Sequence, residues 1–287
     1  MRICTFCDAR YDKKEWQCPT CQLSPPEIDR FPVLAEKLAQ ADSGYNVEHF
    51  AKLAPLEARH FWFRSRNRLV IWALKMHYPR MEKMFEIGCG TGYVLSGIER
   101  AFPNVELSAS DIYIAGLQFT KGRVDRAELF QMDARSIPFD SEFDVIGAFD
   151  VLEHIVEDQK ALFEMYRAVK PGGGIIITVP QHTFLWSQTD ERACHVRRYS
   201  VAELKEKVEE AGFTIKISTS FVSLLLPVMM LSRLQKRKGD NTDQTSELMV
   251  GGVTNWILEK ILDFERILIR NGLHFAAGGS LLMIAEK

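Results

Sequence analysis

At 287 residues, 46% of them hydrophobic, the chain can bury one sizeable core with appendages, and its composition argues against disorder. Thirty-six basic against 38 acidic side chains leave a net charge of −2, which excludes a whole-molecule electrostatic footprint for nucleic acid. The start is polar and cysteine-rich, with no basic segment leading into an apolar one, so a reducing, cytoplasmic setting is expected.

Residues 1–24 carry Cys4-x-x-Cys7 and Cys18-Pro19-Thr20-Cys21, the spacing of a zinc ribbon. Two such knuckles present four thiolates tetrahedrally, and a segment too short for its own core gains its fold from the metal. Zinc is the expected ion; two disulfides or a rubredoxin-like iron centre use the same residues. A small folded cap is the expected role, with a clamp on a partner or substrate as the rival. Cys89 and Cys194 have no spacing for a second metal site. Leu23-Ser24-Pro25-Pro26 reads as a linker, followed by helical periodicity over 31–40 and again from Val47 onward. His60-Phe61-Trp62-Phe63-Arg64-Ser65-Arg66-Asn67-Arg68 then runs into Leu69, Val70, Trp72 and Leu74, a helix with a face to pack on a sheet.

Phe85-Glu86-Ile87-Gly88-Cys89-Gly90-Thr91-Gly92 is an apolar strand ending in an acid and a glycine turn, with Asp111 at the end of the next apolar stretch. This is the pattern of a nucleoside-binding βαβ unit: Gly88 and Gly90 let the backbone turn tightly, and Gly92 opens a helix through Val94, Leu95, Ile98 and Phe102. Tyr93 stands where a dinucleotide fingerprint needs its third glycine. Glu86 would repel a pyrophosphate and favours a cationic cofactor.

These residues resemble the class I S-adenosylmethionine-dependent methyltransferases, in particular type 11/12-like members with an N-terminal zinc ribbon, whose first motif reads acid-x-Gly-x-Gly-x-Gly after strand one. The resemblance continues through Gln131-Met132-Asp133-Ala134, through Phe143 to the fourth-motif run Asp150-Val151-Leu152-Glu153-His154, and through Lys170-Pro171-Gly172-Gly173-Gly174 before the β-branched stretch 175–179. It implies an α/β, Rossmann-like seven-stranded methyltransferase sheet with strand seven antiparallel, a small N-terminal zinc ribbon and a helical insertion between strands six and seven. The implied cofactor is S-adenosylmethionine, held by Glu86, Gly88, Gly90, Gly92, Asp111 at the ribose hydroxyls and Asp133, ending strand three, at the adenine amino group. The segment before strand one lids the cofactor in such enzymes, so Trp62, Phe63 and Arg64 are expected to cover it, Arg64 meeting its carboxylate. The domains read as ribbon 1–24, helical lid 25–80, core 81–220, helical insertion 221–278 and last strand 279–287.

After strand five come His182 to Asp190 and Cys194-His195-Val196-Arg197-Arg198-Tyr199, and loops at strand carboxyl ends form the rim of a site in this architecture. Trp186, Asp190 and Arg197 are substrate-recognition candidates by position alone. Ser200 caps a helix that Gly212 ends, and 213–218 alternates like strand six. The apolar run 221–231 is too short to span a membrane, which takes about 20 residues, and Arg233, Lys236, Arg237 and Lys238 follow it. A polar stretch then precedes an amphipathic helix through Trp256, Leu262, Phe264 and Ile269, ended by Gly272. The insertion fits a packed cap, a lid over an apolar substrate, a homodimer contact through 221–271, or peripheral membrane contact.

Methyl transfer to a hydroxyl needs a base within hydrogen-bond reach, and the candidates are His154 beyond strand four and His195 in the rim loop. Each has a plainer reading, a packing and a solvated histidine respectively. A small-molecule, sugar- or lipid-linked acceptor is expected. No DNA partner is expected, because Asp150-Val151-Leu152-Glu153 stands where DNA-amino methyltransferases carry an Asn/Asp-Pro-Pro-aromatic motif. The alternatives are an RNA methyltransferase that binds substrate through the ribbon, and a noncatalytic cofactor-binding scaffold.

Overall fold

The computed structural model describes residues 1–39, 48–235 and 250–287. Lys236, Arg237 and Lys238 lie outside the described residues, as do Gln40 and Val47. The chain opens on an antiparallel hairpin, β1 (Arg2–Ile3) with β2 (Arg10–Tyr11), and a second, β3 (Glu27–Ile28) with β4 (Phe31–Pro32). Only then does a short helix form, α1 (Glu36–Ala39). The helical periodicity expected over 31–40 gives way to extended backbone for two reasons. Pro32 has no N–H for a helix interior, and the residues after it pair with the main sheet: Val33 bridges to Gln131, Leu34 N donates to the Gln131 carbonyl, and Ala35 N to its Oε1.

Helices α2 (Glu48–Glu57) and α3 (Phe61–His77) lead into the alternating units of the core: β5 (Lys83–Ile87), α4 (Tyr93–Ala101), β6 (Glu106–Asp111), α5 (Ile114–Lys121), β7 (Glu128–Gln131), β8 (Phe143–Phe149), α6 (Asp158–Ala168) and β9 (Val169–Pro180). After the short α7 (Gln188–Arg192) and α8 (Val201–Glu210) come β10 (Thr214–Phe221), α9 (Leu226–Gln235), α10 (Gly252–Arg270) and β11 (Ser280–Glu286). The strands order as β10-β11-β9-β8-β5-β6-β7, all parallel except β11, which runs antiparallel to both β9 and β10. This is the sheet that the resemblance implies, with α9 and α10 inserted before the last strand. Its central strands are buried on both faces, as near-continuous apolar runs require. One face packs Leu74, Leu95 and Leu262 from α3, α4 and α10; the other packs Leu162 and Leu204 from α6 and α8.

Two strand ends differ from expectation. β7 stops at Gln131, leaving Asp133 in the following loop, and β10 runs on to Phe221, where Ser220 still donates to Phe275 across the end of the insertion.

The ribbon docks against the amino ends of the strands. Trp16 meets Phe130 and Phe139 edge-on at 5.2 and 5.8 Å, and the Arg2 guanidinium lies 3.8 Å over the Trp16 ring while pairing with Glu128, the first residue of β7. A cavity of about 140 Å³ between ribbon and sheet is lined by Lys83, Glu106 and Phe143, which open β5, β6 and β8. The glycine turn sits at the other pole, a strand length of roughly 17 Å away.

Candidate functional site

The apolar run before Gly88 makes β5 a buried strand, so Glu86 near its end is carried inside with only 2% of its surface exposed. Its Oε2 has no hydrogen-bond partner among the described residues. Burial pushes this carboxyl up to about 8; Arg66 pulls it down and Asp111 adds to the rise. The turn that follows needs glycine on two grounds. Gly88 (φ 67°) and Gly92 (φ 74°) are left-handed, and a Cβ would meet the Val151 side chain at 2.5 Å at the first and Thr120 at 2.8 Å at the second. Gly90 donates to Asp111 Oδ2 at 2.8 Å and Tyr113 N to Oδ1 at 2.9 Å, which fixes the carboxylate at the end of β6. Burial raises Asp111 to about 6 against the pull of those amides. Helix α2 lies over the turn: Phe50 approaches Gly90 and Gly116, and the buried Glu57 accepts from Thr91 Oγ1 at 2.7 Å and from Arg123.

Of the two arginines, Arg66 faces this turn and Arg64 does not. Arg64 Nε donates to Glu259 of α10 at 3.0 Å, and its Nη1 to the Ala58 carbonyl. Arg66 is buried, pairs with Asp150, stacks 4.5 Å over Trp62 and keeps an unpartnered Nε. Burial lowers Arg66 to about 10, opposed by Glu57, Glu86 and Glu153. Asp133 is held by Arg135, which donates its backbone N at 2.9 Å and its guanidinium.

Beyond Asp150 the chain brings both candidate histidines together, their ring centroids 4.8 Å apart. His195 Nδ1 lies 2.9 Å from Asp190 Oδ1, and Arg198 donates Nε and Nη2 to the two oxygens of the same carboxylate. These partners hold Asp190 well below the usual carboxylate range despite its burial. An ionised Asp190 can only accept, so Nδ1 carries the proton and Nε2 is left as the basic nitrogen. Nε2 points toward Glu153, 4.0 Å from its Oε1. Glu153 is fully buried, and neither oxygen has a hydrogen-bond partner among the described residues. Burial lifts it to about 8, partly offset by Arg66 and Arg198. Arg66 thus lies within electrostatic reach of both buried carboxyls, Glu86 on one side and Glu153 on the other, and Glu153 in turn abuts His195.

The methyltransferase-domain family matches residues 51–216, more than half of the chain. The chain belongs to the class I S-adenosylmethionine-dependent methyltransferase domain family. The domain is 25% identical over 167 residues, 56% of this chain and 62% of the relative, to a Mycolicibacterium smegmatis protein described as a probable S-adenosylmethionine-dependent methyltransferase. It is also 25% identical over 170 residues, 57% of this chain and 58% of the relative, to the mitochondrial ubiquinone biosynthesis O-methyltransferase of Schizosaccharomyces pombe. The chain thus spans less than two thirds of the length of these curated relatives. In fold, the chain aligns over 84% of its length with all of an S-adenosylmethionine-dependent methyltransferase structure from Thermotoga maritima, at 15% identity and a TM-score of 0.53.

Several residues around this candidate site were not legible as such in sequence. Asp190, a substrate-recognition candidate by position, is 1% exposed, closes a capping box with Ser187 and holds His195. Arg197 is tied to Asp158 and the Val156 carbonyl, and Trp186 is partly exposed at the rim. Glu153 did carry a signal, an acid beside a histidine just past an apolar strand. Far from this site, the four ribbon cysteines gather with Sγ–Sγ distances of 3.6 Å for Cys4–Cys21 and 3.8 Å for Cys7–Cys18, and none forms a disulfide. A tetrahedron of thiolates at about 2.3 Å from a metal has edges of roughly 3.8 Å, so the set fits one ion. Phe6 N and Thr20 N donate to Cys4 and Cys18 sulfurs, which steadies both knuckles.

Proposed function

We propose that the chain is an S-adenosylmethionine-dependent methyltransferase acting on a small-molecule, sugar- or lipid-linked hydroxyl by direct displacement. The observation that carries it is Glu86: a fully buried carboxyl with an unpartnered oxygen beside a glycine turn is unfavourable unless a cation meets it. When bound, S-adenosylmethionine supplies a methyl group on a sulfonium and an ammonium that Glu86 would hold. Asp111 would accept the ribose hydroxyls and Asp133 would lie toward the adenine. Arg66, with its free Nε, takes the role expected of Arg64 at the cofactor's carboxylate. His195, oriented by Asp190, takes the acceptor's proton at Nε2, with His154 and Glu153 lining the same space. Phe50, Trp62 and Phe63 exclude water around the turn. The test is turnover of methyl-labelled S-adenosylmethionine against fractionated aqueous and lipid extracts, with mass spectrometry of the product. Failure to bind the cofactor at millimolar concentration would sink the reading.

At the four cysteines we propose zinc, with a structural role. The ribbon's place at the strands' amino ends supports a cap over Phe130 and Phe139 rather than presentation of an RNA to a turn at the opposite pole. Stripping the metal with 1,10-phenanthroline is expected to lower Tm by about 5 °C or more. S-adenosylmethionine affinity measured at low temperature on the stripped protein should change less than about twofold, since the ribbon packs on Phe130, Phe139 and Glu128 at the opposite pole from the glycine turn. Metal analysis finding iron, or no metal, would reject zinc.

A further inference from the structure

Helix α10 is apolar on two sides, and the fold accounts for one of them. Leu262 and Ile269 are buried against the core, with Leu258 and Ile261 packed beside them. On the outer side Val253, Trp256, Ile257, Phe264 and Ile267 recur at helical spacing, and Val253, Trp256 and Phe264 are 75%, 59% and 55% exposed. Helix α9 leaves Val228, Met230 and Leu231 exposed as well.

Charge is sorted across α10 in one direction. All three carboxylates of the helix are engaged: Glu259 pairs with Arg64 and Arg68 of α3, Asp263 with Arg68, and Glu265 accepts from Val222 N and Leu224 N. The charges left exposed are cations, Lys260 and Arg270. Lys260 sits in the middle of the outer stripe, with its side chain 58% exposed and Nζ 3.9 Å from Asp263.

We infer that this face is an interfacial docking surface for an anionic lipid bilayer. A second copy of the chain fits it less well: a self-packed seam would strip water from Lys260, whose carboxylate partner Asp263 is 3.9 Å away and already shared with Arg68 and Arg266. At a bilayer the same lysine extends its apolar stem and leaves its ammonium among lipid phosphates, while Trp256 sits at headgroup depth. No helix among the described residues is long and apolar enough to cross a membrane, so the contact is peripheral. The inner side of α10 ties this surface to the site. Asn255 accepts from Phe61 N at 2.8 Å, and Glu259 holds Arg64, both at the start of the helix that carries Arg66. The docked helix therefore sets the site beside the bilayer, where a lipid-linked acceptor resides. Delivery of that acceptor rests on the methyltransferase reading above, whereas binding to the bilayer does not.

The test is flotation of the full chain with vesicles of phosphatidylcholine containing phosphatidylglycerol at about 30 mol%, compared with pure phosphatidylcholine. The chain is expected to float with the anionic vesicles and at least about tenfold less with neutral ones or in high salt. Trp256→Ser/Phe264→Ser and, separately, Lys260→Glu should each reduce partition about fivefold or more. S-adenosylmethionine affinity of both variants should stay at the wild-type value, which separates a failed surface from a failed methyltransferase reading. No flotation of the wild-type chain, or flotation that both variants retain, overturns the inference. So does a dimer in sedimentation velocity that Trp256→Ser/Phe264→Ser dissociates without any vesicle binding, which would make the face a contact between copies.

Discussion

Replacing Glu86 with Gln is expected to stabilise the unliganded protein at pH 8 and to weaken cofactor binding. Folded Glu86 titrates at about 8, far above the ordinary glutamate value, because burial opposes its charge. A raised carboxyl holds a proton in the fold that the unfolded chain has already released. Its contribution to stability is thus fully present below the unfolded value and is lost as pH rises through the folded one. Each pH unit separating the folded from the unfolded titration is worth about 1.4 kcal/mol, so the loss between pH 5 and 8 is on the order of a few kcal/mol. Glu153, also near 8, adds to the same slope, and Asp111, near 6, to its lower half. The lowered acids Glu142, Asp144 and Asp158 act below the ordinary carboxylate range and leave this window clear. Thermal melts of the wild-type protein should therefore fall from pH 6 to 9, and Glu86→Gln should flatten the profile. Binding of a cationic cofactor releases the Glu86 proton, so wild-type affinity should tighten as pH rises toward 8 with proton release visible by calorimetry in buffers of different ionisation enthalpy. Glu86→Gln should lose that release and bind roughly 10- to 100-fold more weakly, the worth of a charge-assisted contact. Parallel melting profiles for the two proteins, or equal affinities, would refute this account of Glu86.

The second large effect is on turnover. His195→Gln is expected to lower kcat by about 10²- to 10⁴-fold with cofactor affinity unchanged, as removal of a general base does. Asp190→Asn separates orientation from folding. An amide in place of the carboxylate can offer its N–H to Nδ1 and turn the proton onto Nε2, which removes the basic nitrogen while the ring stays in place. That variant also breaks the bidentate contact with Arg198, so Tm and kcat must be read on the same samples. The informative pattern is a kcat loss as large as that of His195→Gln in protein that keeps a cooperative melt. If His195→Gln turns over normally while His154→Gln does not, the base is the neighbouring ring.

What the sequence shows and hides divides by distance along the chain. The turn from Glu86 to Gly92 and Asp111 is local: an apolar strand, an acid, three glycines and the next strand end sit in one βαβ unit, and the structure brings them together as read. The different settings of Arg64 and Arg66 were also legible, in the stripe of the helix that carries them. Arg66, Leu69, Val70 and Ala73 share one helical face and are buried together, whereas Arg64, two residues back, is turned by about 200° toward α10. Phe31 to Val33 misled because helical periodicity competes there with Pro32 and with a free sheet edge. The partnership of His195 with Asp190 and Glu153 had no local signature. Asp190 reads as a helix-capping acid, which it also is, and the burial of Glu153 follows from contacts that form only when β8 meets the loop after β9.

The strap from Phe31 to Ala35 has a consequence for solubility. Strand β7 ends the sheet, and a bare terminal strand offers its amides and carbonyls to any other extended chain. Val33 and Leu34 occupy that position and Arg2 pairs with Glu128 at its start. A truncated protein beginning at α2 would keep the whole cofactor turn and yet present β7 as a template for fibrous self-association. The hydrogen bonds that Leu34 and Ala35 make to Gln131 thus close the carboxyl end of that edge against pairing with another chain.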